Sequence, residues 1–283
     1  MGQSIVVGID GSRAAVDAAL WAVDEAVSRD IALRLIYAID PATEAADPHD
    51  AARELATAEL AVRYAFTAVE STETPVKIEV EILQDKPSQA LVEASRNAAM
   101  ICVGAIGLTH ATQGRIGSTA AALANSAHCP VAVIRRHAVP RSTKPGCILV
   151  EVDQSPGSSA VLEWGLDEAR LRGAPLRVMT TWQSRFTDVH DVHAVADGNR
   201  LAQAQLDRRL ARWRRFHPDL DVRSVANHGS MINYLARNAD SVQLIVIGAK
   251  RTGGARELVG PRGLAVLQNT DCSVLTCNRQ QRL

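Results

Sequence analysis

The sequence lacks an excess of charge of either sign. Lys plus Arg and Asp plus Glu number 31 each among 283 residues, which gives a formal net charge of zero at pH 7. A chain without an overall positive field has no general attraction for nucleic acid or for an anionic membrane surface. One basic run, residues 206–216, could form a local patch, but a helix with solvated arginines is the interpretation we favour. We therefore do not expect nucleic acid as a partner.

Long apolar runs are also missing. No stretch of about 18 apolar residues is present that could span a bilayer. Met1-Gly2-Gln3-Ser4 leads directly into a short strand-like run, without the charged region and long apolar segment of a signal peptide. From these absences we expect a cytoplasmic protein without a membrane partner.

The cysteines form neither a disulfide pattern nor a redox motif. They are five in number, lie in or beside apolar runs, and include no Cys-x-x-Cys. At this chain length the pattern predicts buried thiols that pack as small apolar groups, rather than a disulfide framework or a reactive nucleophile.

What the sequence does contain is an internal repeat. A shift of 143 residues places Asp10 on Asp153, each at the end of an apolar run, and Cys129 on Cys272. The same shift places Trp21-Ala-Val-Asp-Glu-Ala on Trp164-Gly-Leu-Asp-Glu-Ala. One register that holds along the whole chain indicates duplication. The polar, turn-rich segment 141–146 marks the seam, so we predict domains at residues 1–142 and 143–283.

Each half alternates short apolar runs with longer Ala- and Leu-rich helical patterns. The runs are at 5–9, 33–39, 78–83, 101–103 and 131–134, then at 148–152, 176–180, 222–225, 244–247 and 273–275. They are nearly continuous, as strands buried on both faces are. Strands joined by helices imply right-handed crossovers and a parallel sheet. We predict an α/β fold of two tandem flavodoxin-like domains, each a doubly wound five-stranded parallel sheet.

The loop after the fourth strand carries the motif with the most chemical content. Its skeleton is Gly-x2-Gly-x9-Gly-Ser, with fixed positions Gly104, Gly107, Gly117 and Ser118. Ligands of doubly wound sheets bind where the strand order reverses, which selects Asp10 after the first strand and Gly104 after the fourth. Glycines allow close backbone approach, and the helix start at Gly117 suits a phosphate. The alternative is a Gly-rich turn with a capped helix and no ligand.

Three segments together resemble the universal stress protein family. They are Val7-Gly8-Ile9-Asp10-Gly11-Ser12, the Gly-x2-Gly-x9-Gly-Ser loop, and Ala127-His128-Cys129-Pro130-Val131-Ala132-Val133-Ile134. The resemblance covers essentially the whole chain, which looks like the tandem form common in actinobacteria. It implies adenine nucleotide alpha hydrolase-like domains and a role in the stress response.

The resemblance further implies ATP, with Mg²⁺, in the first domain. Asp10 would contact the ribose or a phosphate-bound metal, and the backbone of Ala38 would meet the adenine. Ribose and phosphates would lie against the loop, at Val103, Gly104, Gly107, Gly117, Ser118 and Thr119. Arg115, inside the loop, either reaches a phosphate or is a solvated charge.

The matching loop of the second half departs from this motif. Its second glycine is replaced by Arg251, its serine by Pro261, and it is one residue shorter, whereas Asp153 remains. Either this site is inactive and kept for architecture, or the basic residues of the loop bind an anion in another way.

Our leading hypothesis is a nucleotide-binding regulatory protein without catalytic residues. No general base aimed at a γ-phosphate and no Walker lysine is evident, so any ATP hydrolysis would be slow. The alternatives are an ATP-using enzyme with His110 or Asp10 as base, and a ligand-independent adaptor module. The resemblance also implies that residues 131–134 and 273–275 pair within the chain as a pseudo-dimer, and that two chains could form a homodimer.

Overall fold

The computed structural model describes residues 3–41, 48–107, 117–135, 146–153, 155, 157–183, 192–248, 258, 263, 266–267 and 270–277. The chain divides into two compact units, Met1–Val139 with Ser273–Leu283, and Pro140–Cys272. The predicted domain boundary between residues 142 and 143 lies outside the described residues.

The first half of the chain alternates strands and helices as predicted. Its elements are β1 (Ser4–Ile9), α1 (Arg13–Ser28), β2 (Ala32–Ile39), α2 (Pro48–Glu70), β3 (Ile78–Gln84), α3 (Pro87–Ala94), β4 (Ala98–Gly104), α4 (Ser118–Ser126) and β5 (Val131–Ile134).

The second half repeats the scheme. Its elements are β6 (Cys147–Glu151), α5 (Ser158–Leu171), β7 (Leu176–Trp182), α6 (Val192–Phe216), β8 (Val222–His228), α7 (Met231–Asn238), a short 3-10 helix (Ala239–Ser241), β9 (Val242–Gly248) and β10 (Ser273–Cys277). The tandem α/β fold is confirmed.

The strand order of the first unit is β3-β2-β1-β4-β5-β10. The first five strands are parallel, whereas β10 runs antiparallel to β5, with Val274 opposite Val133 and Thr276 opposite Val131. The predicted pairing of residues 131–134 with 273–275 is therefore present, and it places the last strand of the chain in the first unit. In the second unit, β9-β6-β7-β8 are all parallel.

Burial explains why the strand sequences are nearly continuous in apolar residues. Ile5, Val6 and Val7 of β1 and Ile101 of β4 are completely buried, because both strands lie inside the sheet with helices on either face. Val6 and Ile101 pack in one cluster with Leu123 of α4. Each such side chain contributes about 1.5–3 kcal/mol through the burial of apolar surface.

Two arginines of the basic run in α6 hydrogen-bond within their own unit. The Arg209 guanidinium donates to the backbone carbonyl of Asp153. Arg214 donates to the Asp207 carboxylate at 2.9 Å and to the carbonyl of Val222 at 3.0 Å. Arg209 and Arg214 are therefore bonded within the unit, which differs from the solvated arginines that the sequence favoured. No helix in the described part of the chain combines the length and the apolar character needed to cross a membrane.

All five cysteines lie in the described residues, and each is a buried thiol rather than half of a disulfide. Burial raises the pKa of the Cys129 thiol to about 12. Because the thiolate is the reactive form, this thiol is inert while the unit stays folded.

We therefore predict that iodoacetamide at pH 8 leaves Cys129 unmodified in the native protein. Peptide mass spectrometry before and after denaturation in guanidinium measures this, and the denatured chain, which modifies at all five cysteines, is the control. Equal rates of Cys129 modification in the two states would contradict the burial described above.

Candidate functional site

The carboxyl ends of β1, β2 and β4 meet at one edge of the first unit. β1 lies between β2 and β4, and the chain runs outward from β1 to β2 and β3 before it returns to β4. The strand order therefore reverses between β1 and β4, which is where ligands bind in sheets of this kind. Asp10, Ala38 and Gly104 come together at this edge, as the sequence predicts.

Asp10 is held by the turn that joins β1 to α1. Its Oδ1 accepts a hydrogen bond from the backbone N–H of Ser12 at 2.9 Å. The Ser12 hydroxyl in turn accepts from the N–H of Ala15 at 3.1 Å and so caps α1. Gly11, which lies between Asp10 and Ser12, has a φ of +82°, a conformation that favours glycine. The carboxylate is thus oriented by the backbone before any ligand arrives.

Gly104 and Gly107 bring the backbone after β4 against this turn. A Cβ on Gly107 would lie 2.6 Å from Oδ2 of Asp10, and a Cβ on Gly104 would lie 2.7 Å from the carbonyl carbon of Ala14. At Gly104 the nearest atom belongs to the main chain of Ala14, so a side chain there would displace the backbone of α1, whereas a side chain at Gly107 would have to move the end of the Asp10 side chain. The first two glycines of the motif therefore allow the close approach to the Asp10 turn.

Two backbone hydrogen bonds hold the start of α4 beside the end of β4. The N–H of Gly117 donates to the carbonyl of Ala105 at 3.0 Å, and Ala105 donates to Ile134 of β5 at 2.8 Å. The first bond within the helix is donated by Ala121 to Gly117. The N–H groups of residues 118–120 precede that bond, and no side chain of the described residues caps the helix at Gly117. The helix therefore presents backbone donors and a partial positive charge.

Ala38 lies on the sheet face that carries Val103. Ile36 and Val103 belong to one buried cluster, and Ala38 follows Ile36 by two residues, so its side chain is on the same face. Both predicted positions, Ala38 and Val103, thus border the edge where Asp10 lies.

Tyr37, which the sequence interpretation passed over, lies on the other face of β2. Burial raises the pKa of the Tyr37 phenol, and the nearby carboxylates of Asp10 and Glu54 raise it further. A negative charge at Asp10 therefore raises the pKa of Tyr37. The signal in the sequence is the position of Tyr37 just before Ala38, at the end of a strand.

Arg115 and His110 lie outside the described residues, as does the rest of the loop at 108–116. Among the predicted site residues that are described, Asp10, Gly104, Gly107 and Gly117 form one connected arrangement, and Ser118 and Thr119 begin the helix beside it.

The second unit builds the same turn with more hydrogen bonds. Oδ1 of Asp153 accepts from the N–H of Ser155 at 2.8 Å and from the Ser158 hydroxyl at 2.5 Å. The N–H of Asp153 donates to that hydroxyl at 2.9 Å. Arg251 and Pro261, which replace motif residues, lie outside the described residues.

With this geometry in place, comparison with known proteins is decisive for the family. The model of the universal stress protein family matches the chain twice, at residues 1–135 and 147–278. The chain belongs to the universal stress protein family. The two matches also confirm the tandem organisation.

Individual relatives agree with this assignment over the full length. A universal stress protein of Mycobacterium tuberculosis (strain CDC 1551 / Oshkosh) is 51% identical over 278 residues, covering 98% of this chain and 96% of the relative. A second from the same organism is 45% identical over 276 residues, covering 97% and 95%. The crystal structure of a universal stress protein from Archaeoglobus fulgidus DSM 4304 shares the fold, with a TM-score of 0.68, 15% identity and coverage of 98% and 97%.

We predict that Asp10→Asn lowers the pKa of Tyr37, because it removes a neighbouring negative charge that disfavours the tyrosinate. A spectrophotometric titration of the wild type minus that of Tyr37→Phe isolates this group from the other two tyrosines. Because the folded-state pKa is raised above 10.0, Tyr37 stabilises the fold fully below that pH and loses this contribution as the pH rises through the folded-state value.

The same titration of Asp153→Asn, in the second unit, is the control and should leave Tyr37 unchanged. An unchanged Tyr37 pKa in Asp10→Asn would show that the two side chains are not close in solution.

Proposed function

We propose that this universal stress protein is an ATP-binding regulatory protein, with Mg·ATP held by the first unit. The observation that supports it best is the contact between the Gly107 backbone and the Asp10 carboxylate, next to the start of α4. A side chain at position 107 would have to displace this carboxylate, whereas glycine lets the main chain after β4 lie next to it.

The start of α4 fits a polyphosphate. The N–H groups of residues 118–120 and the hydroxyls of Ser118 and Thr119 are donors at the positive end of a helix, where phosphate groups are favoured. Gly117 has room around it, since a Cβ there would meet atoms only at 3.7 and 4.0 Å. Phosphate groups can therefore approach the main chain of this turn closely.

Asp10 fits either the ribose or Mg²⁺. Mg²⁺ is commonly bound by one or two carboxylates together with substrate phosphates, and it keeps several waters. In the described part of the chain no group of three His, Cys, Asp or Glu is arranged for a metal. A magnesium ion at Asp10 would therefore be bound jointly with the nucleotide, with Asp10 as the protein ligand.

The adenine would lie at the ends of β2 and β4. Small or apolar side chains, Ala38 and Val103, border this position, and the backbone of Ala38 offers the hydrogen-bonding groups that can recognise a base edge. Arg115 would add a charged contact to a phosphate from within the loop.

We propose a regulatory role because most polar groups at this edge are backbone N–H groups and hydroxyls that can bind a nucleotide. Asp10 is the one described group among them that could act as a general base. Asp10 already accepts a hydrogen bond from Ser12 and is adjacent to Gly107, an arrangement that orients a ligand. Nucleotide binding at this edge would change the surface that a protein partner meets.

The test is isothermal titration with Mg·ATP. Wild type should bind about one nucleotide per chain, and Gly117→Glu should weaken binding by at least about tenfold, or about 1.4 kcal/mol, because it places a negative charge where phosphate is expected. Gly117→Ala fits the space and keeps the backbone donors, so it should bind within about threefold of wild type, a change smaller than 1.4 kcal/mol.

Asp153→Asn is the control for the second unit and should bind as wild type does. Two sites per chain would mean that the second unit also takes ATP. No binding by folded wild type at millimolar Mg·ATP would reject the nucleotide proposal in favour of a ligand-independent adaptor. ATP turnover that vanishes in Asp10→Asn while binding persists would favour an enzyme.

A further inference from the structure

We propose that Glu151 and Thr181 close the adenine position of the second unit, so that the chain holds one adenine nucleotide rather than two. This inference rests on the nucleotide site proposed for the first unit. It concerns residues of β6 and β7, and it is independent of the loop around Arg251, which lies outside the described residues.

The two units can be compared position by position along their first two strands. The shift of 143 residues places Gly8 on Glu151 and Ala38 on Thr181. The strand registers agree with this shift, because Gly8 is opposite Ile36 in the first unit and Glu151 is opposite Met179 in the second. Glycine and alanine in one unit are thus replaced by glutamate and threonine in the other.

In the first unit these two positions carry little or no side chain. A Cβ on Gly8 would lie 2.8 Å from Cδ1 of Leu91 and 3.1 Å from Cγ1 of Val103. Position 8 therefore faces α3, where a larger residue would have to move the end of the Leu91 side chain. Ala38 follows on the same face with a single methyl group, next to the place where adenine is proposed.

In the second unit a polar pair occupies the same face. The Glu151 residue is only 5% exposed, and its Oε1 accepts a hydrogen bond from the Thr181 hydroxyl at 3.0 Å. Thr181 lies two residues beyond Met179, the strand partner of Glu151. The Glu151 side chain therefore points toward the carboxyl ends of the strands. It extends from the position that matches Gly8 of the first unit to the position that matches Ala38.

This pair is a poor neighbour for an adenine nucleotide. The ring nitrogens of adenine only accept hydrogen bonds, so they cannot pair with the Glu151 oxygen that accepts from Thr181. An adenine entering here would have to break the bond between the Thr181 hydroxyl and the buried Glu151 side chain, and the loss of a buried hydrogen bond is costly.

A second contact covers the neighbouring main chain. The Arg209 guanidinium donates to the carbonyl of Asp153, at the end of β6, where the matching residue of the first unit is Asp10. Two side chains of the same unit therefore form hydrogen bonds at the end of β6: Thr181 with the Glu151 carboxyl, and Arg209 with the Asp153 carbonyl.

The test uses a photoreactive adenosine without phosphates, 8-azidoadenosine, followed by peptide mapping of the full-length chain. The absence of phosphates separates the adenine position from the divergent loop. The variant Glu151→Gly with Thr181→Ala copies the first unit at both positions. We expect label on the first unit in every protein and, in this variant, a rise of at least about tenfold in label on peptides of β6 and β7, equivalent to about 1.4 kcal/mol in binding.

Two further variants make the result interpretable. Thr181→Ala alone leaves the carboxylate in place and should keep the second unit unlabelled. Glu151→Ala with Thr181→Ala retains a Cβ in the strand, and it replaces the glycine variant if thermal unfolding shows that glycine disrupts β6. Either double variant is sufficient for the test.

The inference is overturned if the wild-type second unit is labelled as strongly as the first. It is also overturned if a folded double variant is labelled on the first unit and not on the second. Failure of the proposed function is distinguishable, because it appears as a wild-type chain that neither labels on the first unit nor binds Mg·ATP.

Discussion

The contact between the Gly107 backbone and the Asp10 carboxylate is the constraint on which the first site depends. It exists because β1 and β4 are neighbours at the point where strand order reverses, so the turn after one strand meets the loop after the other. A side chain at position 107 would have to displace the Asp10 carboxylate. The hydrogen bonds from Gly117 to Ala105 and from Ala105 to Ile134 then fix the start of α4 at the same edge.

Duplication lets each unit be compared with the other. Both keep an aspartate after the first strand, with its Oδ1 accepting from the N–H two residues on. They differ where a ligand would contact the sheet, since Gly8 and Ala38 of the first unit correspond to the hydrogen-bonded pair Glu151 and Thr181 of the second. The backbone scaffold has been retained in both, and the chemistry at the edge has diverged.

The sequence predicted elements well where local patterns carry the information. Continuous β-branched runs predicted the ten strands of the described residues, because strands buried on both faces need apolar residues at successive positions. The rule that ligands bind where the strand order reverses selected the ends of the first and fourth strands, and Asp10 and Gly104 do lie at neighbouring strand ends. Tyr37 and the Glu151–Thr181 pair were missed, because their environments depend on contacts between neighbouring strands. Glu151 was treated as part of an apolar run, although the repeat already sets it opposite Gly8.

Hydrogen–deuterium exchange of the wild type with and without Mg·ATP tests the central claim most directly. If the first unit holds the nucleotide against backbone donors, exchange should slow at Gly107, Ser118 and Thr119, while the peptide containing residues 146–153 of the second unit stays unchanged. Protection confined to the second unit, or none at the start of α4 under saturating nucleotide, would contradict the account.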